Sequence, residues 1–235
     1  MRVVRALIAL FDIDGTLVSC GGAGRRSMER AFLDVVGRSD VADFGFGGMT
    51  DRAIARIGLS AGGALDRGDE HDERTIDAFL ERYLGFLAEE VPRSPMYRVL
   101  PGVLEILDAM SARERVVVGL GTGNLVRGAR IKLDRAGIYE RFRFGGFGSD
   151  HEDRASLLAI GAARGAEEVD HRLDECDVVV IGDTPRDVIA ARAIGARCVA
   201  VATGGYDEDE LSAAGADVVF ADLTHDDVLA AIVGR

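Results

Sequence analysis

Residues 6–19 read "ALIALFDIDGTLVS", in which six apolar residues run directly into Asp12 and Asp14. An apolar run of this kind is typical of a strand that is buried on both faces of a sheet. The Asp-Gly pair alone is explained by a polar turn at the strand end. Two carboxylates at one strand end, however, repel each other unless a cation lies between them or one of them holds a proton. The rest of the chain has to decide between these explanations.

Further short apolar runs alternate with helical patterns along the chain. The later strand candidates are Val116–Leu120, Val178–Ile181, Cys198–Val201 and Val218–Phe220. The helical patterns beside them are Val103–Met110, Leu125–Ala136, Ala155–Arg164 and Val188–Ile194. Strands separated by helices at this spacing predict an α/β fold with a doubly wound parallel sheet.

The segment between the first two strands is much longer than a parallel crossover needs. It shows three helical patterns and no strand pattern, at Ser27–Val36, Asp51–Ile57 and Glu73–Glu90. We therefore predict an inserted α-helical cap subdomain over residues 18–95. Residues 1–17 and 96–235 are then predicted to form the α/β core.

Polar side chains follow three of the predicted strands. Thr122, Gly123 and Asn124 come after the second strand, and Asp183 follows "VVVIG", with Asp187 one helical turn later. Taken alone, Thr122, Asn124 or Asp183 could simply cap the helix that follows it. Ligands of open α/β sheets bind beyond the carboxyl ends of the strands. The coincidence of three such strand ends therefore predicts a site there.

Asp12, Asp14 and Asp183 would together form an oxygen-rich cluster at this edge of the sheet. Carboxylate oxygens suit Mg²⁺, which is usually held by one or two carboxylates together with waters and a phosphate. No histidine or cysteine accompanies them to favour zinc. The sequence therefore predicts that a Mg²⁺ ion separates the two aspartates of the first strand end.

The motifs "DIDGT", "TGN" and "GDTPRD", in this order and with a helical insertion after the first, resemble those of the haloacid dehalogenase-like (HAD) hydrolases. More narrowly, they resemble the phosphoglycolate-phosphatase-like branch with a helical cap, and the resemblance covers essentially the whole chain. It implies a Mg²⁺-dependent phosphatase of small phosphomonoesters, with phosphoglycolate as one candidate substrate.

The resemblance also implies roles for the residues that attack and bind the phosphoryl group. Asp12 matches the nucleophile that forms an aspartyl-phosphate. Asp14 matches the acid that protonates the leaving alcohol and then the base that activates water. Thr122 matches the hydroxyl that binds the phosphoryl group, and the amides of Gly123 and Asn124 match further donors.

The implied metal ligands are the Asp183 side chain, the Asp12 carboxylate and the Asp14 backbone carbonyl. Asp187 is expected to act through water or to orient the other ligands.

The chain departs from the family pattern at the lysine that balances charge around the nucleophile. Its only lysine, Lys132, lies about eight residues inside a predicted helix, roughly 12 Å from the helix start. We expect that distance to exclude it from the role. Arg154 opens the helix at the matching place and is the predicted replacement, the alternative being a solvated arginine.

The predicted cap contains candidates for substrate binding. "FGFGGMTDRAI" resembles the cap loop that points at the active site in this family, which makes Gly48, Met49 and Thr50 candidates. Thr50 is explained equally well as a helix N-cap. Arg25 and Arg26 could meet a substrate carboxylate or form a solvated helix face.

Other functions can be compared with the same motifs. A haloacid dehalogenase would lack the second aspartate, and a phosphonatase would need a cap lysine that this chain does not have. A sugar-phosphate mutase of the β-phosphoglucomutase type keeps the aspartates and stays open, although Gly182 stands where that branch commonly has glutamate. A non-catalytic phosphate-binding protein is a further alternative.

Composition limits the partners and the location. A net charge of −12 opposes binding to nucleic acid. Three scattered cysteines are typical of a reduced cytoplasmic protein, and no apolar run reaches transmembrane length. We expect a cytoplasmic protein whose partner is a small phosphorylated metabolite, with no nucleic acid and no membrane. The sequence does not indicate an oligomeric state.

Overall fold

The structure, a computed structural model, describes residues 5–65 and 70–234. Its strands are β1 (Ala6–Phe11), β2 (Val18–Ser19), β3 (Arg98–Val99), β4 (Val116–Thr122), β5 (Gly145–Phe147), β6 (Cys176–Gly182), β7 (Arg197–Val201) and β8 (Val218–Phe220). Its α-helices are α1 (Ala23–Val36), α2 (Asp51–Ala61), α3 (Glu70–Arg93), α4 (Val103–Ser111), α5 (Val126–Asp134), α6 (Arg154–Glu168), α7 (Pro185–Ala193), α8 (Glu208–Ala213) and α9 (Val228–Val233).

Six of these strands form one parallel sheet in the order β5-β4-β1-β6-β7-β8. Successive residues of β1 alternate between two apolar clusters, because side chains of a strand point to opposite faces. Leu7, Ala9 and Phe11 pack in the cluster that includes residues of α4, α5 and α9. Ile8 and Leu10 pack in the cluster that includes residues of α6, α7 and α8. The predicted doubly wound α/β fold is thereby confirmed.

The register of the central strands places their carboxyl ends level with one another. Phe11, the last residue of β1, pairs with Leu120 of β4 and with Ile181 of β6. The residues that follow these three strands therefore meet at one edge of the sheet. This edge is where the polar motifs of the sequence come together.

Helices α1, α2 and α3 lie between β2 and β3, which pair antiparallel as a two-stranded ribbon through Val18 and Val99. The three helices share an apolar interior in which the rings of Phe32 and Phe79 have centroids 4.4 Å apart. This block corresponds to the predicted helical insertion. The proposed boundaries at residues 18 and 95 stay a prediction.

Several elements were not predicted from the sequence. Strand β5 has the composition Gly-Gly-Phe, which carries no β-branched signal, and β2 and β3 have two residues each. Helices α8 and α9 have six residues each, too short for a clear periodicity. Among the described residues, no helix combines the length and apolar character that a membrane crossing requires.

Candidate active site

Asp12 lies buried at the end of β1, where its backbone amide donates to the Ile181 carbonyl at 2.9 Å and so continues the sheet. Its Oδ2 is 3.1 Å from Nη2 of Arg154. Burial raises the pKa of Asp12 to about 6, while the Arg154 guanidinium opposes this rise and the Asp187 carboxylate adds to it. The adjacent guanidinium is thus the group that favours the charged form of this carboxylate.

Asp12 belongs to a cluster of three buried carboxylates. Asp12, Asp183 and Asp187 each offer an oxygen, and these atoms all lie within 4.8 Å of one another. Burial, together with the charges of Asp187 and Asp12, raises the pKa of Asp183 well above its usual value. Three hard oxygen donors at this spacing fit a divalent ion such as Mg²⁺.

Small neighbours surround Asp183. A Cβ added at Gly204 would lie 1.7 Å from its Oδ2, and one at Gly15 would lie 2.2 Å from it. Only glycine therefore fits at these two places. The Thr16 hydroxyl donates to Oδ1 of Asp183 at 3.0 Å and holds the carboxylate in position.

Asp187 is held from two sides. Its Oδ2 accepts hydrogen bonds from the Thr184 amide at 3.0 Å and from the Thr184 hydroxyl at 2.7 Å, as part of the cap that begins α7. Its Oδ1 accepts from the Arg154 guanidinium. Because both oxygens have protein partners, this geometry suits a residue that orients its neighbours.

The Asp14 side chain makes different contacts from those of the three-carboxylate cluster. About half of it is exposed. Its Oδ2 lies 2.5 Å from Nζ of Lys132 and accepts from Nδ2 of Asn124 at 2.9 Å. Both contacts use Oδ2, and the Asp14 side chain is not part of the three-carboxylate cluster.

Lys132 belongs to the site, and the expectation that it lies too far away was wrong. It is buried on α5, which begins at Val126, and its ammonium contacts Asp14 and Asn124. The sequence estimate counted only the rise of the backbone. Helical side chains lean toward the N-terminus, so a long lysine side chain spans the remaining distance.

Arg154 begins α6 behind Asp153, whose side chain accepts from the Ser156 amide and caps the helix. Its guanidinium is buried and contacts both Asp12 and Asp187. Although burial works against the charged form, the two carboxylates raise the pKa of Arg154 above its usual value. Within residues 5–65 and 70–234, its Nε has no hydrogen-bond partner. The guanidinium therefore lies beside Asp12, and its Nε–H is available to donate to a bound ligand.

The turn after β4 is bound by the side chain of Asp51, which was not predicted from the sequence as a site residue. Asp51, at the start of α2, is buried, and its Oδ2 accepts from the Leu125 amide at 2.9 Å. The Tyr83 hydroxyl lies 3.4 Å from its Oδ1. Burial raises the pKa of Asp51 to about 6, and the Lys132 charge opposes this rise. In the sequence, an acidic residue after a threonine N-cap indicates only a helix start.

The 48–51 loop contacts the core beside this turn. The Gly48 carbonyl accepts from Nη1 of Arg154 at 3.3 Å, and the Asp51 amide donates to the Gly123 carbonyl at 2.8 Å. The Thr50 hydroxyl caps α2 and donates to the Glu152 carbonyl at 3.0 Å. The helical block and the core are thus in direct contact above the strand ends.

A cavity of about 390 Å³ lies above Asp12, between the helical block and the core. Gly48 and Met49 line it, whereas Thr50 is not among its lining residues.

Of the two arginines considered for a substrate carboxylate, only Arg25 lines this cavity. Its guanidinium donates to the Ala42 and Phe44 carbonyls and lies 4.0 Å from the Phe46 ring centroid. Arg26 pairs with Glu90 instead.

Comparisons with known proteins agree with this geometry. A family profile described as haloacid dehalogenase-like hydrolase matches residues 7–195. A phosphoglycolate phosphatase of Rhodospirillum rubrum is 29% identical over 225 residues, with 91% of this chain and 86% of that protein covered. An N-acetylmuramic acid 6-phosphate phosphatase of Pseudomonas aeruginosa is 30% identical over 229 residues, with 93% of this chain and 92% of that protein covered. The solved structure of a hydrolase from Pseudomonas syringae is similar in fold, with a TM-score of 0.64 and 23% identity over 92% of this chain and 94% of that one.

Proposed function

This chain belongs to the haloacid dehalogenase-like hydrolases and is a phosphatase of that family, and we propose that it hydrolyses a small phosphomonoester through an aspartyl-phosphate on Asp12. The observation that carries the proposal is the pairing of Asp12 with a buried guanidinium. Arg154 lies 3.1 Å from this carboxylate, and its buried Nε–H has no hydrogen-bond partner in the part of the chain that the structure describes. A phosphoryl group bound to Asp12 would supply the missing acceptor.

In the first half of the reaction, an oxygen of Asp12 attacks phosphorus and the bond from phosphorus to the substrate alcohol breaks. Asp14, whose side chain is about half exposed, gives its proton to the departing alcohol oxygen. In the second half, Asp14 takes a proton from a water molecule. The water oxygen attacks phosphorus, and the bond to Asp12 breaks.

Arg154 and the metal site would balance the charge of these steps. The carboxylates of Asp12 and Asp183 and the backbone carbonyl of Asp14 would hold the Mg²⁺, with Asp187 orienting Arg154 and its neighbours. When bound, Mg²⁺ neutralises part of the phosphoryl charge. The planar guanidinium of Arg154 can bind two oxygens at once, which a lysine cannot do.

The substrate that we propose has a small alcohol portion, because the helical block lies over the strand ends and leaves a cavity of about 390 Å³. Two of the similar proteins are named for phosphoglycolate and for N-acetylmuramic acid 6-phosphate. Both compounds are phosphomonoesters that also carry a carboxylate. Gly48, Met49 and Arg25 line the cavity and are the residues that we propose to meet the alcohol portion.

The test is a screen for phosphate release from phosphoglycolate, sugar phosphates, N-acetylmuramic acid 6-phosphate and nucleotides, with Mg²⁺ and after chelation. Asp12→Asn is expected to keep the fold and lose nearly all turnover, because a neutral amide does not attack phosphorus. Asp226→Asn, at an exposed position, is the matched control and should keep full activity. Isomerisation of a sugar phosphate without phosphate release would identify a mutase instead. Full activity of Asp12→Asn would refute the covalent mechanism.

A further inference from the structure

We propose that Lys132 is a positioning residue that, through the Asn124 side chain, directs the hydroxyl proton of Thr122 toward the phosphoryl group. The inference rests on the proposed function, because it assigns a purpose within the same site. It concerns the only lysine in the chain, which the mechanism above does not use.

The first step is the environment of the ammonium group. Lys132 is 4% exposed, and its Nζ lies 2.5 Å from Oδ2 of Asp14 and 2.6 Å from Oδ1 of Asn124. The ammonium therefore has a hydrogen-bond acceptor on each of two sides. An ammonium can only donate hydrogen bonds.

The second step is the direction of the Asn124 amide. Because Lys132 only donates, the oxygen of the amide must face it, and the NH₂ group must face the other way. In this orientation Nδ2 donates to Oδ2 of Asp14 at 2.9 Å and to Oγ1 of Thr122 at 2.8 Å. In the flipped orientation, the amide NH₂ would face the Lys132 ammonium, and the amide oxygen would face the Asp14 carboxylate. Only one orientation satisfies all of these groups.

The third step is the hydroxyl of Thr122. Its Oγ1 accepts from the Asn124 side chain and from the Asn124 backbone amide at 3.3 Å. A hydroxyl oxygen has two acceptor sites and one proton. Both acceptor sites are used by Asn124, so the proton has to be donated elsewhere. Thr122 is the last residue of β4, at the edge of the sheet where β1 ends at Phe11, and the resemblance to the family gives its hydroxyl the role of binding the phosphoryl group.

Without the ammonium, only the Asp14 carboxylate still holds the NH₂ side of the Asn124 amide, so the amide and the direction of the hydroxyl proton are held less firmly. Loss of one fixed donor to a developing anion typically costs about 10²–10³ in turnover. Because the Thr122 hydroxyl itself would remain, we expect Lys132→Met to lose on the order of tenfold to a hundredfold in kcat/KM.

A double-mutant cycle tests this chain of hydrogen bonds. It compares the wild type with Lys132→Met, Thr122→Val and the double variant, using p-nitrophenyl phosphate. The rates are compared as kcat/KM, which ends at the departure of p-nitrophenol and so precedes the step in which Asp14 acts as the base. Because this leaving group also needs little help from an acid, the effect of Lys132 on Asp14 is kept small. We expect the loss caused by Lys132→Met to disappear in the Thr122→Val background. Two independent losses that multiply would overturn the proposal.

Two further measurements keep the test decisive. Calorimetry of inorganic phosphate binding to the same four proteins should show the same dependence on Thr122, without any need for turnover. It separates a failure of this inference from a failure of the proposed activity, which would show as a wild type that binds phosphate and hydrolyses nothing. If Lys132→Met does not fold, Lys132→Gln takes its place, because it shortens and neutralises this side chain, and its loss must likewise vanish in Thr122→Val.

Discussion

Replacing Arg154 by alanine removes a buried cation that contacts two carboxylates. Nη2 lies 3.1 Å from Asp12 and also contacts Asp187, and both carboxylates are buried. Breaking a buried pair by removing one partner typically costs about 3–5 kcal/mol, because the remaining charge has no compensation. A divalent ion held by the three-carboxylate cluster would offset part of this loss. The larger consequence is expected in the transition state, where negative charge collects on the phosphoryl oxygens.

We expect Arg154→Ala to lower kcat by about a hundredfold or more, the typical effect of removing a donor at a developing anion. This corresponds to about 2.7 kcal/mol of transition-state stabilisation. Arg154→Lys should recover only part of the loss. A point charge cannot reproduce the contacts that the planar guanidinium makes with Asp12, Asp187 and the Gly48 carbonyl.

The assay is steady-state phosphate release at saturating Mg²⁺, with thermal unfolding to confirm that each variant is folded. Arg164→Ala is the matched control, because Arg164 lies on the same helix and pairs with Asp150 but does not line the cavity over Asp12. Free guanidinium added to Arg154→Ala should restore part of the rate. A folded Arg154→Ala enzyme within a few-fold of the wild type would refute the reasoning.

Three other predictions follow from the same site. Asp183→Ala should raise the Mg²⁺ concentration needed for half-maximal activity, because it removes one of the three clustered carboxylates; an unchanged requirement would remove Asp183 from the metal site. Burial raises the pKa of Asp51 from 3.8 to about 6, so between these pH values the folded state binds more protons than the unfolded state. The free energy of unfolding therefore falls by about 3 kcal/mol as the pH rises through this range. Asp51→Asn should show a smaller fall over this range in denaturant titrations, and an identical fall would contradict the prediction. A Cβ at Gly123 would lie 2.3 Å from the Met49 carbonyl oxygen, so Gly123→Ala should displace the 48–51 loop and raise KM, and an unchanged KM would show that this contact does not shape the substrate site.

The sequence by itself determined the features that local patterns encode. Five of the six strands of the parallel sheet appear as short apolar runs, and the side chains after them are fixed by chain order. Parallel strands align their carboxyl ends, so Asp12 and Asp183 could be placed at one sheet edge before any coordinates were known. The helical pattern at Val188–Ile194 likewise predicted α7, which the structure begins at Pro185 behind the Thr184 N-cap. These inferences need only the residue order and the period of a strand or helix.

Only the tertiary structure decided which distant side chains join the site. Lys132 reaches Asp14 because α5 packs against the sheet with this side chain leaning back toward the helix start. Asp51 reaches the Leu125 amide because the helical block lies over the strand ends. Both contacts join residues more than seventy positions apart in the chain, and no local periodicity encodes such a separation. The packing of α5 and of the helical block on the core brings these charged side chains to the strand ends. A distance counted along one helix does not include this packing, and it therefore excluded Lys132 from the site.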